Sequence, residues 1–384
     1  MRVALVVDEL PTSAAPKILG EEAYHLERLG IKADVVVMKR KIREAPLAHE
    51  DSVKKIYLDA SLRHHHLFQY RIPGFSFFSL YHVFYPYILS STTKKILEQY
   101  DAVVIHYSST ALLVRRLGLR KTIYYLWDPV SYIFSVAYHG WSATWKRSLL
   151  GVAVRLDRIL IESFDIIVLP SRFHMKRVKD LGARNIRIIY PGVHSAKFLP
   201  ERRGNYMISV ARWEPGKNPY FLLDLSKELI NRGFRDLKIR MVGPWKSEEL
   251  LRSFLVKAKR LGVRDNLEIL GPKYGEALNS LYLGAKALIH PKIEAFGFTG
   301  LEAAAHGCPI IFPRGSGVTE LFEDRMHGCF PKEGDINGFA ECAEQLLNNE
   351  DKALTMGRKA WEIAKKRSWD RHVEELIEVL INGI

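Results

Sequence analysis

Residues 291–309 read Pro291-Lys292-Ile293-Glu294-Ala295-Phe296-Gly297-Phe298-Thr299-Gly300-Leu301-Glu302-Ala303-Ala304-Ala305-His306-Gly307-Cys308-Pro309, and this stretch decides the fold class. The run before it, residues 285–290, is short, apolar and closed by Pro291, which predicts a buried strand. Leu301 to Ala305 predicts a helix stopped by Gly307. A buried strand, a glycine-bearing loop and a helix form one unit of a parallel α/β sheet, which binds ligands beyond the carboxyl ends of its strands. Glu294 is expected in the loop and Glu302 in the first helical turn, both facing that crevice. The amides of Phe296, Gly297 and Phe298, followed by Thr299, lie at a helix N-terminus, which suits an anionic or polyhydroxylated ligand. Taken alone, the segment also reads as an ordinary strand-loop-helix unit with two solvated carboxylates.

Working upstream, Tyr206–Val210 predicts another strand, followed by the loop Ala211-Arg212-Trp213-Glu214-Pro215-Gly216-Lys217-Asn218-Pro219-Tyr220 and a helix over Phe221–Ile230. Two cations, Arg212 and Lys217, thus stand in one loop at a helix entrance. That arrangement suits a diphosphate, since Arg binds oxyanions bidentately and Lys supplies a point charge. A lone pair of this kind is otherwise a set of solvated surface cations. Lys238–Gly243 and Asn266–Gly271 are further segments ending in glycine. Ile310–Pro313 leads to the turn Gly315-Ser316-Gly317 and Glu320, and Gly328-Cys329-Phe330 and Gly334-Asp335 follow.

In this order the segments resemble the retaining glycosyltransferases of family 4 (glycosyl transferases group 1), whose signature is E-x7-E. The resemblance spans most of residues 165–384. It implies a GT-B fold: α/β, with two Rossmann-like doubly wound domains facing a cleft and a C-terminal helix crossing back to the first domain. On this reading residues 1–195 with 368–384 form an acceptor domain and 196–367 the nucleotide-sugar donor domain. Arg212 and Lys217 would hold the donor phosphates, Glu302 the ribose hydroxyls, and Glu294 would lie beside the donor sugar. The backbone at Gly243 would approach the donor, with Phe296, Gly297, Phe298 and Thr299 completing its site. The donor is a substrate, so no cofactor is expected.

Two departures concern the acceptor side. Many relatives carry a glycine-rich loop after the first strand, whereas Asp8–Pro16 contains no glycine, which hinders close backbone approach. The family often ends the strand Thr122–Leu126 in His-Asp, but here the pair is Trp127-Asp128. Asp128 is kept as a catalytic candidate, and His106, at the end of the neighbouring strand, is the candidate for the missing histidine. No Asp-x-Asp occurs, so no metal-bridged donor and no metal centre are expected. Gly-x4-Gly-Lys-Ser/Thr, His-Glu-x2-His and Gly-x-Ser-x-Gly are absent too.

Composition bounds the remainder. The 384 residues are 47% hydrophobic and 26% charged, globular rather than disordered, and long enough for two domains. Residues 1–200 hold 29 Lys and Arg against 17 Asp and Glu, whereas residues 201–384 hold 28 against 26. A net +12 in the first half favours an anionic partner such as an acidic membrane face, unless it serves only solubility. The aromatic stretch Gln69–Ser90 reads either as a core helix or loop or as an interfacial segment. The short His64-His65-His66 run could bind metal, but no second ligand cluster accompanies it. Cys308, Cys329 and Cys342 are expected as reduced thiols in the cytoplasm, and no signal peptide or spanning helix is expected.

The parallel strands of the first half are read at Val3–Val7, Ala33–Met38, Ala102–His106, Thr122–Leu126 and Ile166–Leu169, with helices at Glu21–Leu29 and Lys94–Gln99. Tyr190-Pro191-Gly192-Val193 and residues 197–203 read as the hinge, and Val373–Leu380 as the last helix. The competing functions are a nucleotide-sugar epimerase or phosphorylase of the same architecture, which the Arg212/Lys217 and Glu294/Glu302 set argues against, and a basic nucleic-acid-binding protein. The latter lacks a recognisable module, so no nucleic-acid partner is expected. The expected partners are a nucleotide sugar and a glycan or lipid-linked acceptor.

Overall fold

The computed structural model describes residues 1–10, 15–38, 46–58, 71–72, 75–79, 90–119, 121–137 and 143–382. The chain divides into one compact unit of Met1–Tyr190 with Trp369–Ile384 and a second of Pro191–Ser368.

The strands of the first unit are β1 (Arg2–Val7), β2 (Lys32–Val37), β3 (Lys55–Tyr57), β4 (Arg71–Ile72), β5 (Phe75–Ser79), β6 (Ala102–His106), β7 (Thr122–Tyr125), β8 (Ile166–Leu169) and β9 (Ile186–Ile188). Seven form a parallel sheet in the order β3-β2-β1-β6-β7-β8-β9. Strands β1, β6, β7 and β8 are buried almost throughout, which is why they read as continuous Val, Ile and Tyr runs rather than alternating patterns. Each such side chain contributes roughly 1.5–3 kcal/mol when withdrawn from water. Strand order reverses between β1 and β6, so the crevice of this sheet lies beyond their carboxyl ends. The helix Trp369–Asn382 belongs to this unit and packs on the helix Ala15–Arg28.

Within the aromatic stretch, β4 and β5 form an antiparallel pair where a helix or loop is expected. Residues 69–70, 73–74 and 80–89 of that stretch, the His64–His66 run and residues 11–14 of the glycine-free loop lie outside the described residues.

The second unit contains β10 (Tyr206–Val210), β11 (Lys238–Val242), β12 (Leu267–Gly271), β13 (Leu288–Ile289), β14 (Ile310–Ile311) and β15 (Gly328–Cys329). They form a parallel sheet in the order β12-β11-β10-β13-β14-β15, the doubly wound arrangement. The reversal falls between β10 and β13, paired at Ile208 and Leu288. The loops leaving those two strands contain Arg212 and Lys217 on one side and Glu294 on the other.

Three expectations are corrected in this unit. The helix after the Glu294 loop spans Phe298–Ala305, so Glu302 lies in its second turn rather than its first. Gly297 is the residue before it, at φ 97°, and a Cβ there would lie 2.9 Å from the Phe312 ring. A left-handed glycine can therefore start this helix three residues earlier than the alanine run indicates. Residues 285–290 contribute only the two-residue strand β13, since Pro291 ends the pairing early. Finally, Cys329 and Cys342 are joined as a disulfide, with Cα atoms 5.9 Å apart, where reduced thiols are expected. Cys342 lies on the buried face of the helix Ile336–Leu347, and only tertiary packing brings it to β15. Cys308 is the free, buried cysteine among the described residues.

Candidate active site

Glu294 lies in the loop after β13, at the strand-order reversal of the second unit. Its backbone is fixed before its side chain acts: the Ser316 Oγ accepts from the Glu294 amide at 3.2 Å, and the Gly317 amide donates to the Glu294 carbonyl at 3.0 Å. The Val318 amide bonds the Phe296 carbonyl in the same way. The Gly315–Val318 turn after β14 thus clamps the loop after β13, so the glutamate is held by neighbouring strand ends rather than by its own loop.

Lys217 Nζ donates to both oxygens of Glu294, at 2.5 and 2.7 Å. Lys217 closes a single 3-10 turn that begins at Pro215 and stops at Asn218, whose φ of 49° is left-handed. That turn is itself zipped to the end of β11 through Trp213, whose amide donates to the Pro244 carbonyl and whose carbonyl accepts from the Lys246 amide. Gly243 lies at the same strand end, donating its amide to the Gly271 carbonyl. His290, almost wholly buried and stacked on Phe312 at 4.5 Å, brings Nε2 to 2.9 Å from Glu294 Oε1. Burial alone would push the Glu294 carboxyl up, but Lys217 and His290 against it outweigh that and hold it down at about 2. At neutral pH Glu294 is therefore a fixed acceptor of hydrogen bonds and carries no proton to give.

Arg212 is exposed and pairs with Glu214 at 3.1 Å, so the two expected cations have different local partners. Glu302, on the helix Phe298–Ala305, accepts from the Tyr282 hydroxyl at 3.3 Å. Burial and Glu302 push that hydroxyl well above its ordinary range, which makes it a dependable donor that orients the carboxylate. Phe298 and Thr299 occupy the first turn of the same helix, and Phe296 is buried edge-on against Phe298 at 5.2 Å.

The first unit separates its two candidates. Asp128 Oδ1 lies 2.9 Å from Nε2 of His174, a nearly buried residue of the turn after β8, while the Asp128 side chain remains 37% exposed. His106 is 0% exposed: its Nδ1 accepts from Trp127 Nε1 at 3.3 Å and its Nε2 lies 3.0 Å from Glu22. Both ring nitrogens of His106 thus face groups inside the first unit. The histidine beside Asp128 is His174, not His106.

His290 and His174 were not singled out by the sequence reading. His290 immediately follows β13, the position facing the crevice, and this was the available signal. For His174 the signal exists only in strand order, because β7 and β8 are neighbours and their exits lie side by side.

Residues 194–362 match the family model described as Glycosyl transferases group 1. Over this segment, less than half of its length, the chain is similar to that family. A D-inositol 3-phosphate glycosyltransferase of Corynebacterium urealyticum is 26% identical over 246 residues, covering 58% of each chain. An uncharacterized glycosyltransferase of Methanocaldococcus jannaschii is 26% identical over 210 residues, covering 54% of this chain and 57% of its own. The chain thus spans less than three fifths of the length of these curated relatives in the matched region. Among solved structures, the Anabaena protein HepE in complex with UDP and glucose aligns over 100% of both chains with a TM-score of 0.76 and 16% identity. The sucrose-phosphate synthase of Thermosynechococcus elongatus aligns over 100% of this chain and 99% of its own, with a TM-score of 0.75 and 15% identity. Likeness at this identity establishes the fold alone: two parallel α/β sheets in the GT-B architecture.

Proposed function

We propose that the protein transfers a sugar, with retention of configuration, from a nucleotide-diphosphate sugar to a hydroxyl of a glycan or lipid-linked acceptor, without a metal ion. The observation that carries this reading is the Lys217–Glu294–His290 group at the strand-order reversal of the second unit. Departure of a diphosphate develops negative charge, and Lys217, Arg212 and the amides at the start of the helix Phe298–Ala305 are the available counter-charges. Glu294, held ionised, accepts from donor-sugar hydroxyls and orients the ring. Glu302, oriented by Tyr282, accepts from the ribose. The match of residues 194–362 to the family model and the UDP and glucose bound by HepE support the donor class.

On the acceptor side, Asp128, paired with His174 and 37% exposed, is the candidate group at the end of β7. The net +12 of residues 1–200 supports an anionic membrane face as the place where the acceptor is met. Among the described residues, no helix is long and apolar enough to cross a membrane.

A thermal-shift panel of nucleoside diphosphates tests the donor reading. A ligand at about 100 times its dissociation constant adds roughly 2.7 kcal/mol of stability, so one diphosphate should raise the midpoint by several degrees while the free nucleoside does not. No response to any of them would reject it. Sedimentation with anionic and neutral vesicles at low and high salt tests the membrane arm separately, and equal recovery with both vesicle types at low salt would remove it.

A further inference from the structure

A second cluster of polar side chains lies in the first unit on the helix Ala15–Arg28 and is used by none of the chemistry above. Glu21 and His25 are one helical turn apart on one face, and His49 reaches them from the segment before β3. Each offers one ligand atom, and the three atoms lie within 4.8 Å of one another. Glu21 Oε2 is 3.0 Å from His49 Nε2 and 3.5 Å from His25 Nε2. A tetrahedral ion with bonds of about 2.0–2.2 Å needs its ligand atoms about 3.4 Å apart. Two edges of the triangle are therefore within a few tenths of an ångström of what a zinc-sized ion requires.

The surroundings are those of a ligand set. Glu21 and His25 are 3% and 5% exposed, while the His49 side chain is 31% exposed and leaves a path from solvent. The outer nitrogen of His25, Nδ1, lies 2.6 Å from Asp370 Oδ1. With the proton on Nδ1 that carboxylate accepts it and the Nε2 lone pair faces Glu21, the usual outer-partner arrangement of a metal-bound histidine. The His49 ring is stacked on Tyr24, with centroids 3.9 Å apart and planes 10° apart, so its heading is fixed. Gly20 allows the close approach of the segment: a Cβ there would meet the Ala48 carbonyl oxygen at 2.2 Å.

We infer that Glu21, His25 and His49 bind one divalent ion of the zinc class, with Asp370 as the outer partner of His25. Two imidazoles and one carboxylate suit zinc rather than magnesium or calcium, and three protein ligands leave the fourth position to water or another small ligand. The ion would fasten residues 46–53 to the helix Ala15–Arg28, and through Asp370 it would fasten the start of the helix Trp369–Asn382. It serves the first unit's architecture and is separate from the metal-independent transfer proposed above.

The test is calorimetric titration of the chelator-treated, untagged full chain with zinc chloride, with bound metal counted after dialysis. One equivalent is expected in the unaltered protein and in a variant with His64, His65 and His66 all changed to Ala, since that run is a rival zinc ligand. His49→Ala, a partly exposed position, should weaken zinc at least about 100-fold. Asp370→Asn should weaken it about 10- to 100-fold, as removal of such an outer partner typically does. Zinc should raise the melting temperature of the unaltered protein but not of His49→Ala, whose metal-free circular dichroism should match the parent. No zinc uptake, unchanged affinity in His49→Ala, or loss of uptake in the triple-histidine variant would overturn the assignment.

Discussion

Glu22 in the first unit and Glu294 in the second each lie against two basic groups, and the pair repays comparison. In the first unit Glu22 lies between His106 and His372, with each carboxylate oxygen 3.0 Å from a ring nitrogen. In the second, Glu294 lies between Lys217 and His290. Burial raises each carboxyl and the neighbouring bases more than reverse this, leaving both at about 2. Access separates them. Glu22, His106 and His372 have side chains 0%, 0% and 1% exposed, whereas Glu294 and Lys217 keep 19% and 28%. Glu22 joins the end of β6 to the last helix through His372, whose Nδ1 donates to the Tyr190 carbonyl. A strongly perturbed carboxylate is thus a fastener in one unit and a candidate reaction group in the other. Titration behaviour alone does not mark an active site; the strand-order reversal and solvent access complete the argument.

The largest expected effect falls on the fastener. Glu22→Ala leaves buried imidazoles without their acceptor, and breaking such a group typically costs about 3–5 kcal/mol. Denaturant unfolding should show this loss in the first unit's transition, with nucleoside-diphosphate affinity changed by less than about twofold. The two carboxylates also predict the acid limb of stability. Each folded pKa is depressed, so the contribution is complete above about 4.5 and is lost as pH falls towards about 2. Melting temperatures between those values should fall more steeply in the parent than in Glu294→Gln, and equal slopes would contradict the Lys217 and His290 assignment.

Next come the counter-charges. Lys217→Ala and Arg212→Ala should each lower transfer at saturating donor by at least about 100-fold, the usual result of removing a donor aimed at developing charge. Near-parental turnover in both variants would sink the phosphate role. Smaller again is the division between the two glutamates. Glu302→Gln should raise the donor KM by about tenfold with kcat nearly unchanged, whereas Glu294→Gln should act mainly on kcat. The reverse pattern in steady-state kinetics would exchange their roles.

How much of this was legible in the sequence depended on whether the deciding interaction was local. Strands β6, β8 and β10 lie at the residues read from their apolar runs, because strands buried on both faces leave a continuous hydrophobic signature. The helix after β10 was read to within one residue. Strands β13, β14 and β15, two residues each, are too short for any periodic signal. The early start of the helix Phe298–Ala305 depends on a left-handed Gly297 that the alanine run does not reveal. The placement of Arg212, Lys217 and Glu294 on loops at one sheet edge was readable from strand and loop order. The contact of Lys217 with Glu294, the clamp from Ser316 and the pairing of Asp128 with His174 join residues at least 22 positions apart, and only the folded sheet supplies them.

The central claim is that donor chemistry belongs to the open carboxylate site of the second unit and not to the sealed one of the first. Titration of the stabilising nucleoside diphosphate into the parent, Lys217→Ala and Glu22→Gln proteins measures this most directly. The account predicts at least about tenfold weaker binding for Lys217→Ala, equivalent to roughly 1.4 kcal/mol, and parental affinity for Glu22→Gln wherever it remains folded. Parental affinity in Lys217→Ala, or an equal loss in folded Glu22→Gln, would contradict it.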